Sequence, residues 1–164
     1  MPQDISGSDV GGLLYCPANA HHTVAQAVAA ERLPRPFSLA LCLEDTVRAD
    51  ALAAAEQAVE QTLHDLTDAA RQETFYRPLT FVRVRSPEQL ARLGRAYGKY
   101  RPLLTGFILP KFFIETCGAY CAVIRDLQAD GLDYFYMPVF EAPSMLPLHT
   151  RHAALAEVKA QLDA

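Results

Sequence analysis

The 164-residue sequence has no apolar run approaching the roughly 18–20 residues that a membrane-spanning helix needs, so a helical membrane protein is excluded as a class. It has no cationic excess either: 15 Lys and Arg face 19 Asp and Glu, a formal charge of −4. A surface of that sign offers no field for nucleic acid or anionic lipid. The start, Met1-Pro2-Gln3-Asp4, lacks the basic residues and apolar stretch of a secretory signal, which leads to the expectation of a cytoplasmic protein. Cysteine is sparse. Cys16, Cys42, Cys117 and Cys121 include no C-x-x-C pair, so zinc ribbons and dithiol redox motifs have no support. Cys117 and Cys121, four apart, share a helix face and read as reduced, partly buried thiols, since cytosolic disulfides are rare. Low-complexity segments and long linkers are absent, so residues 1–164 read as a single domain.

What is present is an alternation. Apolar residues make up 51% of the chain, enough for a real core, and they fall into short runs separated by longer helical patterns. Gly12–Cys16 reads as a strand stopped by Pro17, and Thr23–Glu31 as a helix with Thr23 as N-cap. Phe37–Leu43 is a second strand, running into Glu44-Asp45. Asp50–Gln72, alanine-rich with apolar residues at helical spacing, is a long helix. Leu79–Val84 is a third strand, rich in β-branched and aromatic residues. Ser86-Pro87-Glu88-Gln89 combines an N-cap serine, a proline at the first helical position and a Gln three residues after the cap, and predicts a helix to about Tyr97. Gly106–Leu109 is a fourth strand ended by Pro110-Lys111. Ile114–Asp130 is a helix, Tyr134–Phe140 a fifth strand ending at Glu141, and a last helix beginning after Pro147 covers Leu155–Leu162.

Strands alternating with helices imply right-handed crossovers and a parallel sheet. The spacing of about 30 residues per unit fits a (β/α)₈ barrel, and five units also fit an open flavodoxin-like sheet. In either fold, ligands bind beyond the carboxyl ends of the strands. Polar residues collect there: Glu44 and Asp45 after strand 2, Arg83 and Arg85 on strand 3, Lys111 after strand 4, Glu141 after strand 5. Carboxylates at several strand ends suit Mg²⁺, which prefers oxygen ligands. An arginine in the same rim suits a carboxylate substrate, gripped through two N–H groups. Metal, clamp and anionic substrate together point to metal-stabilised enolate chemistry. Plainer readings stand beside these. Glu44-Asp45 fits a helix cap, Glu141 a loop acid and Lys111 a solvated side chain, while Arg83 in an apolar strand requires a partner because a lone buried charge is costly. His149 and His152 share a helical face but have no third ligand nearby, and His21, His22 and His64 are scattered.

At these same residues the sequence resembles the HpcH/HpaI aldolase and citrate lyase β-subunit family. Leu13-Leu14-Tyr15-Cys16-Pro17-Ala18-Asn19 is similar to that family's opening L-[FY]-V-P-[GA]-N strand. Cys42-Leu43-Glu44-Asp45-Thr46-Val47 resembles its D-L-E-D-[AS]-V motif, Val82-Arg83-Val84 its V-R-[VI]-N strand and Leu109-Pro110-Lys111 its L-P-K motif. Pro138-Val139-Phe140-Glu141-Ala142-Pro143-Ser144 resembles the strand that ends in a metal-binding Glu. The five matches occur in order over nearly the whole chain, and a weaker likeness is to the lyase-like proteins of tellurium-resistance gene clusters.

The resemblance implies a TIM barrel of which this chain holds the first five strand–helix units, as a fragment or a natural truncation. It implies Mg²⁺ (or Mn²⁺) dependent cleavage or formation of a carbon–carbon bond in β-hydroxy or β-keto acids, often carried as coenzyme A or acyl-carrier thioesters. Carried over, Arg83 is catalytic and holds the substrate with Lys111, Glu141 ligates the metal, and Glu44 and Asp45 hold waters on it. Three departures stand out: Cys42 replaces the first Asp of D-L-E-D, Arg85 replaces the Asn after V-R-V, and Gly11-Gly12 replace the basic residue before strand 1. The family's second metal carboxylate belongs to a sixth strand. An incomplete barrel leaves two sheet edges and an apolar inner face, so a homo-oligomer or a missing barrel half is the expected partner. The alternatives at this point are a non-catalytic flavodoxin-like domain binding a small anion and a structural half-barrel module.

Overall fold

The computed structural model describes residues 5–141, 143 and 147–163. Five strands, β1 (Leu13–Pro17), β2 (Ser38–Cys42), β3 (Thr80–Arg83), β4 (Leu104–Leu109) and β5 (Phe135–Pro138), form one sheet in the order β1-β2-β3-β4-β5. Every pairing is parallel. That order is the wall of a barrel. It rejects the flavodoxin-like alternative, in which the second strand would lie at the edge.

Among the described residues five α-helices connect and flank the strands: α1 (His21–Ala29), α2 (Leu52–Gln72), α3 (Pro87–Ala96), α4 (Ile114–Ala129) and α5 (Leu148–Leu162). None of them is long and apolar enough to cross a membrane among the described residues. The elements expected from the sequence are all present, with shifted ends. Thr23 is not a cap. The chain leaves Pro17 through a tight 3-10 turn, Ala18–Ala20, that passes straight into α1, so Thr23 lies within the first turn. The fifth strand is shorter than Tyr134–Phe140, and its pairing with β4 goes one residue past Pro138, from Val139 N to Leu109 O. Ser86 caps α3 as expected, its hydroxyl accepting from Gln89 N at 3.3 Å. The Gln89 side chain, however, accepts from Arg85 N at 2.7 Å rather than from the cap residue itself.

Alternation along each strand divides the side chains between two faces. Leu39, Leu41, Leu43, Val82, Val84, Phe107 and Leu109 point to the helices and make the main core with Val59, Leu63, Leu90, Leu93, Tyr120 and Leu127. Ala40, Phe81 and Ile108 point the other way, with Leu13, Leu79, Phe135, Met137 and Val139 partly buried around them. This second cluster is the inner face of the barrel wall, and it is apolar. Gly106 lies on it where β4 and β5 approach so closely that a Cβ would collide with the Phe135 carbonyl. The four cysteines are free thiols; Cys42, Cys117 and Cys121 are buried. Burial pushes the thiols of Cys16, Cys117 and Cys121 up, which keeps them protonated and poorly nucleophilic.

Candidate active site

Arg83 is the last residue of β3, paired with Cys42 on one side and Ile108 on the other. Val82 and Val84 turn to the helices, so alternation sends Arg83 inward with Phe81, one layer nearer the carboxyl edge of the sheet. It is only 8% exposed. A buried guanidinium must be satisfied, and the strand ends on either side supply the acceptors. Its Nε donates to Glu44 Oε2 at 2.7 Å, and its Nη2 lies 2.5 Å from the same oxygen. Nη2 also reaches Asp45 Oδ2 at 3.1 Å and Glu141 Oε1 at 2.9 Å. The Tyr15 ring, from β1, stands 5.9 Å from the guanidinium carbon.

Each partner is placed by its own strand end. Leu43 N donates to Arg83 O, which carries β2 pairing one residue further and delivers Glu44 and Asp45 beside β3. Val139 N donates to Leu109 O and Phe112 N to Val139 O; these bonds tie the segment after β5 to the loop after β4. Glu141 therefore sits beside Lys111, whose backbone N–H donates to Glu141 Oε1 at 3.3 Å. Lys111 Nζ lies 3.0 Å from Glu44 Oε1. Lys111 has a positive φ of 51°, the left-handed region that a non-glycine residue enters only when its surroundings hold it there. Here Thr116 Oγ1 donates to its carbonyl at 2.6 Å and Glu141 takes its N–H.

All five residues singled out in the sequence, Glu44, Asp45, Arg83, Lys111 and Glu141, thus meet in one cluster at the carboxyl edge. Two formal cations face three carboxylates. Burial pulls the Arg83 pKa down, but Glu44, Tyr15 and Glu141 outweigh it, and the net shift is upward. Glu44, then Asp45 and Glu141, raise that of Lys111. Both cations therefore stay charged at neutral pH. Glu44 is buried between them, its Oε2 taken by Arg83 and its Oε1 within ion-pair distance of Lys111 but without a hydrogen bond, whereas Asp45 and Glu141 are the more accessible acids, with side chains 64% and 35% exposed.

The sequence reading overlooked Tyr15 as a site residue. The signal was available: two-residue alternation puts Tyr15 with Leu13 on the inner face, level with Ala40 and Phe81 and one layer below Arg83. Ala142 and Ser144 of the fifth motif lie outside the described residues. His149 and His152 are exposed on α5, away from any ligand set. Among the described residues no three His, Cys, Asp or Glu side chains converge closely enough to hold a metal ion by themselves.

A parallel barrel wall with an arginine–carboxylate cluster across the ends of successive strands defines the class: a protein of the TIM-barrel fold, with its candidate site at the carboxyl edge. The model of the C–C bond lyase family of the TIM-barrel fold matches residues 4–164, and the chain belongs to that family. Among solved structures it is similar to the citrate lyase beta subunit complexed with oxaloacetate and magnesium from M. tuberculosis, at 24% identity and a TM-score of 0.53. That match covers 93% of this chain and 52% of the other, so the chain spans about half the length of its solved relative. Protein CitE from Mycobacterium tuberculosis in complex with magnesium and pyruvate matches at 14% identity over 93% of this chain and 97% of that one, with a TM-score of 0.28. A comparison with curated proteins gave no match.

Proposed function

We propose that residues 1–164 form one domain, the N-terminal part of a cytoplasmic, magnesium-dependent carbon–carbon bond lyase or aldolase. Its substrates would be β-hydroxy or β-keto acids, or their coenzyme A or acyl-carrier thioesters. The observation that carries this reading is the buried Arg83, held by acids from β2 and β5 at the carboxyl edge of a wall whose family cleaves carbon–carbon bonds.

The chemistry of the chain's own residues follows. Arg83 presents several N–H donors in a fixed plane. Glu44 holds one side of that plane rigidly, while Asp45 and Glu141 occupy positions an incoming carboxylate or carbonyl oxygen can take over. Lys111 adds a second positive charge beside the same acids. Together they orient an acidic substrate and oppose the negative charge that grows as the bond next to its carbonyl breaks.

The donors fit an oxygen-preferring divalent ion in kind and fall short of it in number. Glu141 would ligate it directly, with Glu44 and Asp45 bonding its waters. When bound, magnesium supplies the Lewis acid that stabilises an enolate. A further carboxylate would have to come from strands beyond the fifth.

The apolar inner face of Ala40, Phe81, Ile108, Phe135 and Met137 supports a matching reading of its partners. An inner face of this kind needs cover, from a second copy of the chain or from the remaining barrel half. Little lyase activity is therefore expected of residues 1–164 alone. The test is calorimetric titration of Mg²⁺ and Mn²⁺ into the wild type and Glu141→Ala, with sedimentation and a thioester-cleavage assay on the same samples. Weak binding abolished by Glu141→Ala is expected, with an associated species in sedimentation. Equal heats from both proteins would remove Glu141 from the site. Ligand binding with no cleavage in any assembled form would favour a non-catalytic anion-binding or structural half-barrel module.

A further inference from the structure

Arg85 stands where the resembled family has Asn, and the site described above does not use it. Its neighbours in the chain, at and just past the end of β3, are accounted for: Arg83 faces inward on the acids and Val84 is buried against the helices. Arg85 does something different. Its Nε donates to Leu43 O at 2.6 Å, and its Nη2 donates to Glu44 O at 3.2 Å and also to Val47 O. Every hydrogen bond of its side chain thus ends on a backbone carbonyl of one loop, the loop that carries Glu44 and Asp45.

A guanidinium ordinarily seeks a carboxylate. A planar fork closed on three carbonyls of a five-residue segment fixes that segment's backbone instead. The backbone of Arg85 is also anchored. Arg85 N donates to Gln89 Oε1 at 2.7 Å, Gln89 Nε2 donates to Glu56 Oε1 at 2.6 Å, and Arg92 reaches the same oxygen at 2.6 Å. Gln89 is buried in the first turn of α3, and Glu56 lies in the second turn of α2. Two packed helices therefore hold Arg85, and Arg85 holds the loop. Glu44 leaves that loop to meet Arg83, and Arg83 must be met within a few tenths of an ångström for a preorganised clamp. An Asn at this position has a shorter side chain and two amide donors, and cannot span three carbonyls.

We propose that Arg85 is a positioning residue: it clamps the 43–47 loop through its carbonyls and so sets where Glu44 and Asp45 stand against Arg83. The claim deepens the reading of the site as an anion clamp, but its test does not depend on that reading.

The experiment is solution NMR and amide hydrogen exchange on the full chain, with Arg85→Met, which keeps the aliphatic stem and removes the donors, and Arg85→Lys. Arg83 Nε–H, hydrogen-bonded to Glu44 Oε2, gives its own side-chain resonance. In Arg85→Met the amides of residues 43–48 should exchange on the order of tenfold faster, with protection in β3 and β4 unchanged. The Arg83 Nε–H resonance should shift and broaden. Arg85→Lys, which can reach one carbonyl, should fall between the two. An unchanged Arg83 resonance with unchanged loop exchange would overturn the proposal. So would a loss of protection spread evenly over all strands, since that marks a general stability role. If Arg85→Met does not fold, Arg85→Lys decides by the same two readouts. Failure of the chain to bind any metal or acid would refute the proposed function and leave this result standing.

Discussion

Arg83 and Glu44 make the sharpest test of how the site is held together. Both residues are 8% exposed, and Glu44 Oε2 takes two N–H contacts from Arg83, at 2.7 and 2.5 Å. Removing one partner of a buried pair costs about 3–5 kcal/mol, because the other charge stays buried and uncompensated. The two truncations should not be equal. Glu44→Leu leaves Arg83 with Asp45 and Glu141, at 3.1 and 2.9 Å, though both are more exposed and so worth less. That substitution should cost about 2–3 kcal/mol. Arg83→Met leaves three carboxylates around the vacated position with Lys111 as their remaining close cation, and should cost about 3–5 kcal/mol. For a chain of this length, each kcal/mol lowers the Tm by about 2–4 °C, so Arg83→Met should melt about 6–20 °C lower. The double variant Arg83→Met, Glu44→Leu removes both charges and should recover much of the loss, since apolar replacement of a buried pair is often close to neutral. Urea unfolding followed by circular dichroism on all four proteins measures the cycle. A cost for Arg83→Met under about 1 kcal/mol, or a double variant equal to the sum of the singles, would show that water already solvates the cluster and would refute the reasoning.

Three further outcomes are expected. Gly106→Ala should lose at least about 3 kcal/mol, because the added methyl meets the Phe135 backbone, which cannot rotate away as a side chain can. Wild-type unfolding free energy in the alanine variant would show that β4 and β5 are not in this register. Glu56 tests pH: burial raises its pKa, but hydrogen bonds from Arg92 and Gln89 and the field of Arg92 lower it below the ordinary 4.5. A depressed carboxylate contributes stability that is present above its unfolded pKa and is lost as the pH falls through the folded one. Wild type should therefore exceed Glu56→Gln in unfolding free energy at pH 7, and the gap should close below about pH 4.5; a gap that stays constant with pH would refute the pairing. Ser86→Ala should cost about 0.5–1 kcal/mol through loss of the α3 cap, measurable as a small shift in urea midpoint with unchanged slope.

Much of this architecture can be read before any coordinates. The alternation of short apolar runs with helical patterns marks every strand and helix, because each element's period follows from local backbone geometry. The Ser86-Pro87 start of α3 is equally local. The ends were less legible. Whether Thr23 caps α1 depends on how tightly the chain turns after Pro17, and the end of β5 depends on which N–H groups find a neighbouring strand. Sheet order is not legible in the sequence either, since a barrel wall and a flavodoxin-like sheet share one alternation of elements.

The chain by itself determined which residue types stand at the carboxyl ends of its strands: Glu44, Asp45, Arg83, Lys111 and Glu141. Composition and motif spacing are properties of the primary structure, and so is family membership. Only the tertiary structure decided that these five side chains converge, because residues 30 to 67 positions apart meet only once the strands lie side by side in chain order. It alone decided, too, that Arg85, two residues past the end of β3, grips the backbone of the 43–47 loop. Nothing in a one-dimensional pattern records which carbonyls a guanidinium will reach; that depends on the path of a loop fixed by two helices packed behind it.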